Sequence, residues 1–282
     1  MEIIRNTEFG GERPLYGKRG LRLENVVINP GESALKETAG IEAVGCEFKG
    51  KYPFWCTDGF TVDRCVFREG ARAALWYSRD LRMTNCLVEA PKMFREMDNL
   101  SLEGVRFTNA LETFWDCRGI SLKDVEVENA DYIYMHSSGI RIQDYRQQGN
   151  YSFQYCKDVE IRNAVMDTKD AFWMTENVTV YDSRINGEYL GWYSKNLTLV
   201  NCHIEGTQPL CYAEDLVLEN CTFGPDADLA FEYSTVKATI KGNITSVKNP
   251  RSGMISAGSI GEVIIDHNIK APGDCRIITT GE

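Results

Sequence analysis

Glu96, Asp116 and His136 stand at equal intervals along the chain, and the residues around them repeat with nearly the same period. If the chain stacks one repeat upon the next, such residues fall into a column whose neighbours lie roughly 5 Å apart. Two carboxyl groups that close repel each other. One keeps its proton while the other ionises, which is the division of labour that an acid and a nucleophile or base require. A spacing of about 5 Å is also that of the carboxyl pair in retaining glycosidases. Glu96, Asp116 and His136 are therefore the candidate catalytic residues. Lys92 and Arg95 are close in sequence and suited to steady an anionic group; the alternative is a surface charge ladder in which Glu96 and Asp116 pair with Arg95, Lys92 or His136.

The same column continues as Glu37, Cys56, Tyr77, Tyr155, Met174, Tyr193 and Tyr212. Aromatic rings broken by a few polar groups suit sugar rings, whose apolar C–H faces pack on the rings while carboxylates and amides hold the hydroxyls. Tyr77, Arg95, Tyr155, Tyr193 and Tyr212 are the candidate substrate-binding residues. The neighbouring column, Lys36, Trp55, Trp76, Arg95, Trp115, Met135, Gln154, Trp173, Trp192 and Cys211, contains all five tryptophans of the chain.

What must position these columns is a repeat of about 19–20 residues, a period in the range of stacked-repeat architectures. An apolar residue following Gly, Asp or Asn recurs at Ile41, Phe60, Leu81, Leu100, Ile120, Ile140, Val159, Val178, Leu197 and Leu216, in nearly even steps. Each unit opens apolar-x-apolar, turns and resumes, as in Leu197, Leu199, Asn201, Cys202 and Ile204, which predicts two short strands about a tight turn. Asn85, Asp124, Asp144, Asn163, Asp182, Asn201 and Asn220 occupy the turn, residue types that tolerate left-handed backbone. A third apolar stretch, centred on Leu35, Phe54, Leu75, Phe94, Phe114, Tyr134, Phe153, Phe172 and Leu210, completes one coil. Three short strands per coil, paired with the coils on either side, make an all-β parallel β-helix of roughly ten to twelve coils. Leucine-rich repeats have a similar period but need a different consensus and often a helix, and the stretch from Ile204 to Leu216 has neither. The chain is expected to form one domain, with residues 1–20 as an N-terminal cap, 21–234 as regular coils and 235–282 as irregular coils and a C-terminal cap.

Composition narrows the partners. The 282 residues carry 31 Lys and Arg against 41 Asp and Glu, a formal charge of −10, so a nucleic-acid or acidic-membrane footprint is not expected. No apolar run follows the first charged residues, and no stretch approaches a membrane span. A cytoplasmic chain with reduced thiols is the expectation. Cys46, Cys65, Cys86, Cys202 and Cys221 share one inward column as small apolar fillers. No His and Cys spacing resembles a zinc site, and His203 and His267 lie outside the column of His136.

The units NLTLVNCHI, VTVYDSRI and LVLENCTF resemble the right-handed parallel β-helix of the pectate-lyase-like superfamily. More narrowly, GERPLYGKRGLRLENV, GKYPFWC, RAALWYS, NYSFQY, KDAFWM, GEYLGWYSKNLTL and AFEYSTV resemble one bacterial family within it, catalogued as a domain of unknown function. That resemblance implies a fold and no activity. Polysaccharide lyases of the superfamily typically hold Ca²⁺ through several carboxylates and use a basic residue to abstract the proton. Here only Glu96, Asp116 and Glu112 are at hand, so Ca²⁺ is not supported and no cofactor is expected.

Which columns face outward is left with two answers. If the Phe and Leu column is inside, the Trp column faces solvent. If alternation is counted instead from the small, uncharged column Thr38, Thr57, Ser78, Met97, Cys117, Ser137, Cys156, Thr175, Ser194 and Ala213, the Trp column is inside. The column of Glu96, Asp116 and His136 is outward under both. The functional expectation is a carbohydrate-interacting β-helix, acting on an oligo- or polysaccharide as a glycoside hydrolase or lyase, or binding it only. The alternative is a non-catalytic assembly protein whose aromatic ladder makes a self-association interface.

Overall fold

The computed structural model describes residues 1–268 and 273–281. They divide into two compact units, Met1–Arg146 and Gln147–Glu282. Each is a right-handed parallel β-solenoid. The described residues form about 14 turns, somewhat more than the ten to twelve expected, because the stretches outside 21–234 also coil. Glu2–Arg5 pairs in parallel with Arg19–Glu24, and Glu8–Glu12 with Val27–Glu32. At the other end Thr235–Lys248 and Ser252–Ile264 are the longest strands and pair with each other in parallel.

Within the N-terminal unit, Asp98–Phe107 stacks on Arg118–Val127, with Leu100 beside Ile120, Leu102 beside Leu122 and Val105 beside Val125. In the C-terminal unit Val178 sits beside Leu197 and Val180 beside Leu199. Alternate residues of these strands are buried, so similar apolar types meet from coil to coil and the core extends one coil at a time. The Asn and Asp residues expected at the turn have left-handed backbone, with φ near 50° from Asn85 to Asn220. Short polar side chains accept that conformation because they bond locally.

The third stretch of each coil differs from the expected strand. It runs as a series of turns in which left-handed residues alternate with right-handed ones, as at Glu112, Phe114 and Asp116, with φ of 49°, 60° and 54°. Every other N–H in the stretch points to the next coil: Ser33, Leu35 and Glu37 donate to the carbonyls of Lys51, Pro53 and Trp55. Left-handed backbone costs a non-glycine residue about 1–2 kcal/mol, and this coil-to-coil ladder offsets it.

The ladder also decides the facing of the columns. Leu35, Phe54, Leu75, Phe94, Phe114, Tyr134, Phe153, Phe172 and Leu210 are all fully buried. Their rings stack, Phe94 on Phe114 at 4.6 Å and Phe153 on Phe172 at 5.1 Å between centroids. The five tryptophans therefore point outward and are half-buried, while Gln154 and Cys211 of the same column are buried. A left-handed kink at the next residue turns the chain, so the column after it faces solvent and the small column is again inside. Ser78, Ser137 and Ser234 work at that inner corner. Each hydroxyl donates to a carbonyl, of Phe54, Phe114 and Leu210, and accepts from the N–H of Thr57, Cys117 and Ala213, one coil down.

The cysteine column does the same at the other corner. The N–H of Cys46 donates to Cys65 Sγ at 3.2 Å and that of Cys65 to Cys86 Sγ at 3.3 Å, while the thiols donate to carbonyls such as Ala43. Ser183 fills the equivalent place with an oxygen, accepting from Ala164 and donating to Tyr181. No disulfide forms among the described residues.

Candidate functional site

The outward column that follows the Trp column keeps one backbone conformation from coil to coil. Glu37, Cys56, Tyr77, Glu96, Asp116 and His136 in the N-terminal unit, and Tyr155, Met174, Tyr193, Tyr212 and Tyr233 in the C-terminal unit, have φ between 49° and 59°. The N–H is spent on the carbonyl above: Glu96 donates to Trp115 at 2.9 Å and Asp116 to Met135 at 3.0 Å. Such a residue has its backbone fixed and its side chain aimed away from the core.

In the N-terminal unit the Trp column is locked from the side. Trp76 Nε1 donates to the Lys92 carbonyl at 2.8 Å, and Trp115 Nε1 to the Tyr132 carbonyl. Both indole rings are thereby held with one face toward Arg95. The guanidinium lies 4.4 Å from the Trp76 ring centroid and 4.6 Å from that of Trp115. Glu112 bonds Lys92 at 2.8 Å and stands 3.8 Å from Arg95 Nη2, too far for a hydrogen bond. Arg95 Nε is buried and has no partner. Among the described residues, no hydrogen bond uses any of the guanidinium N–H groups.

Glu96 and Asp116 sit on successive coils, one residue beyond the bridged pair Arg95 and Trp115. Both are exposed, and neither side chain makes an ion pair or hydrogen bond among the described residues. Neither Lys92 nor Arg95 pairs with Glu96 or Asp116; both cations face Glu112, at 2.8 and 3.8 Å. His136 is exposed in the same column, on the next coil. Tyr77 leans on Trp55 and Trp76, with ring centroids 5.3 Å and 6.3 Å away. Beneath Asp116, burial pushes the thiol of Cys117 up to about 12, so it is an inert filler.

The C-terminal unit builds the same columns without a cation. Trp192 Nε1 donates to the Gln208 carbonyl at 2.8 Å. Around the indole stand Tyr189, Tyr193 and Tyr212, at 5.1, 6.3 and 5.2 Å. Tyr193 and Tyr212 stack at 4.9 Å with an interplanar angle of 15°, and Tyr233 continues the row at 5.6 Å from Tyr212. Glu232, nearly buried below this row, is held by Lys248 at 2.9 Å. Burial raises the Tyr212 hydroxyl above its ordinary pKa, and the Glu232 charge adds to the rise. Tyr155 and Met174 are exposed in the same column.

Sequence reasoning found the column but not its supports. Tyr52, Tyr132 and Tyr189 recur three places before Trp55, Met135 and Trp192, and that repeat was the available signal. The clamp of Trp76 and Trp115 on Arg95 had none, since it depends on ring orientation. Among the described residues no group of three or more His, Cys, Asp or Glu is placed to hold a metal ion.

Residues 2–278 match the family model described as a protein of unknown function, DUF3737. The chain belongs to that family. No curated protein matches this DUF3737 chain. Among solved structures it is similar to the surface adhesin PfbA of Streptococcus pneumoniae, with 10% identity and a TM-score of 0.42, covering 96% of this chain and 89% of the adhesin. It is also similar to a periplasmic alginate epimerase, with 10% identity and a TM-score of 0.34, covering 98% and 76%. A third similarity is to the catalytic domain of a GH87 α-1,3-glucanase solved with tetrasaccharides, with 9% identity and a TM-score of 0.30, covering 99% of the DUF3737 chain and 64% of the glucanase domain. At such identities and scores these likenesses carry no argument about chemistry.

Proposed function

We propose that this chain binds carbohydrate on the outward face formed by the Trp column and the left-handed column beside it. The observation that carries the reading is where exposed apolar surface collects. Of the exposed large apolar side chains among the described residues, Tyr16, Tyr77, Tyr132, Tyr155, Met174 and Tyr193 belong to the third stretch of their coils. Met1 and Ile3 belong to the first strand or its edge, and Val263 and Ile265 to the end of Ser252–Ile264 or its edge. Within each unit, exposed aromatics confined to one stretch of the coil mark a binding site more than scattered ones do. Rings with polar tips, interrupted by open carboxylates, complement a pyranose that is apolar on its C–H face and polar at its rim. The row Tyr193, Tyr212 and Tyr233 offers one phenol per coil, which favours a chain-like ligand.

Cleavage is the finer reading. Glu96 and Asp116 carry no cation, occupy adjacent coils and have His136 one coil further, which supports acid–base work on a glycosidic bond. Binding is tested first, by affinity electrophoresis of the full chain against a panel of soluble glycans. A retarded band that returns to normal mobility in Tyr193→Ser with Tyr212→Ser is the expected result. No retardation by any glycan overturns the reading. Light scattering on the same variants covers the other use of an aromatic face: a drop in mass with Tyr155→Ser and Tyr193→Ser, and no effect on glycans, would identify a self-association surface. For cleavage, the panel is scored for reducing ends and unsaturated products, and activity that survives both Glu96→Gln and Asp116→Asn excludes the carboxylate pair.

A further inference from the structure

We infer that the Arg95 clamp in the N-terminal unit is a subsite for one neutral sugar unit, in which the guanidinium fork donates to adjacent hydroxyls. The inference rests on the carbohydrate reading and adds the substrate class to it. A guanidinium presents five N–H donors in a fixed plane. A flexible surface arginine loses little if these point to water. Arg95 is different, because indoles at 4.4 and 4.6 Å hold the plane on both sides and only 23% of its side chain is exposed. Its Nε is buried and unpartnered, and its Nη groups, with Nη2 3.8 Å from Glu112, make no hydrogen bond within the described residues, so the Nη groups are the donors left for a ligand. A rigid, unspent fork has already lost the freedom that binding would otherwise take, so a pair of acceptors in its plane is bound at little further entropic cost.

Charge decides which acceptors. Glu112 stands 3.8 Å from the fork with Lys92 on its other side, Glu96 follows Arg95 in the chain, and Asp116 follows Trp115, the residue bridged to Arg95 on the next coil. Glu112 already answers Lys92, and Glu96 and Asp116 are open. The local balance is negative, on a chain whose formal charge is −10. A carboxylate or sulfate on a ligand would meet like charge on its approach, and like-charge contacts select against wrong partners. Hydroxyl groups do not have that difficulty. They accept from Arg95 on one side and donate to Glu96 or Asp116 on the other, and the carboxylates, which only accept, need such donors. A neutral sugar can meet all three residues with hydroxyls alone, while an acidic one offers the same hydroxyls and also brings its own charge toward Glu96 and Asp116.

The test is calorimetric titration of the full chain with neutral oligosaccharides (cello-, laminari- and malto-series) and with acidic ones (oligogalacturonate and oligomannuronate). Neutral binding with little dependence on salt is expected, and Arg95→Gln should weaken it about tenfold, roughly the worth of one or two hydrogen bonds. Arg95→Lys should lose as much as Arg95→Gln, because it keeps the charge and loses the fork. Arg95→Met keeps an apolar filler between the indoles, and its melting curve shows whether the unit stays folded. Acidic sugars binding more tightly than neutral ones, in a salt-dependent way, would overturn the inference, as would Arg95→Lys binding like the parent. Neutral binding indifferent to all three variants leaves the carbohydrate reading standing and removes this subsite. Failure of every sugar to bind the parent chain removes both.

Discussion

The two units share the pattern of their interior and differ in what the equivalent outward columns carry. In Met1–Arg146 the Trp column encloses a cation, Arg95 between Trp76 and Trp115, and the next column is acidic at Glu96 and Asp116. In Gln147–Glu282 the equivalent columns hold Trp192, Tyr193, Tyr212 and Tyr233, with ring on ring and no cation between the rings. One backbone scaffold thus displays hydrogen-bonding groups in one region and apolar edges in the other. The left-handed column makes this possible. Its N–H is committed to the next coil and its side chain lies outside the core, so residue type there is freer to vary. The interior columns lack that freedom.

On this contrast, interior substitutions should cost the two units alike. Phe114→Ala removes the centre of the stack Phe94, Phe114 and Tyr134, and Phe172→Ala removes one half of the pair with Phe153. Each should cost about 3–5 kcal/mol by urea denaturation, from lost burial and the cavity left behind. A much smaller loss in one unit would mean that its interior adapts as its surface does. The corner hydroxyls come next. Ser137→Ala and Ser234→Ala each strand the N–H of Cys117 or Ala213 at a buried corner, and about 1–3 kcal/mol is expected from either. Ser137→Cys should recover part of the loss, as the thiols of the opposite corner bond in the same pattern.

The outward faces should respond differently. Arg95→Met leaves two indoles without their cation, and a double-mutant cycle with Trp115→Leu should return a coupling of about 0.5–1 kcal/mol. The corresponding cycle between Tyr193 and Tyr212 reports a ring–ring contact of about 0.5–1.5 kcal/mol. Raised salt separates the two, because only a contact that involves a charge is screened. Equal salt response in both cycles would break the distinction between the faces.

Much of this was legible in the sequence. The repeat period, the turn ladder and the outward column of Glu96, Asp116 and His136 follow from residue types that recur at fixed spacing. The facing of the Trp column was not legible. It is settled by left-handed backbone at Tyr77, Glu96, Asp116 and Tyr193, residues whose types give little sign of that conformation. Propensity marks left-handed backbone at Gly and Asn, as at the turn, and is silent where a hydrogen-bond ladder imposes it. For the same reason the third stretch reads as a strand from its hydrophobicity and is a run of turns. The Arg95 clamp was hidden for another reason: the register brings Trp76 and Trp115 to either side of it, but only the anchored indole N–H groups turn their faces inward.

The smallest expected effect lies in a single column, three places before the Trp column, where both units carry an acid. In the N-terminal unit Glu112 is answered by Lys92 at 2.8 Å. In the C-terminal unit Asp170 is 7% exposed and has no ion pair among the described residues. Burial holds its carboxyl above the ordinary value of 3.8, the Glu188 charge adds to this, and Lys169 opposes it. A carboxyl whose pKa is raised on folding binds its proton more tightly in the native state, so ionisation at neutral pH opposes folding. The stability it withholds is fully present below about 3.8 and is lost as pH rises through the raised native value. Asp170→Asn fixes the neutral form. It should therefore raise the melting temperature at pH 7, and the gain should shrink as the pH falls and vanish below the ordinary Asp value. Glu112→Gln should do the reverse at neutral pH, lowering stability slightly by leaving Lys92 without its partner. A gain from Asp170→Asn that persists unchanged at low pH would trace the effect to shape instead of charge, and the contrast between the paired and the unpaired acid would fall.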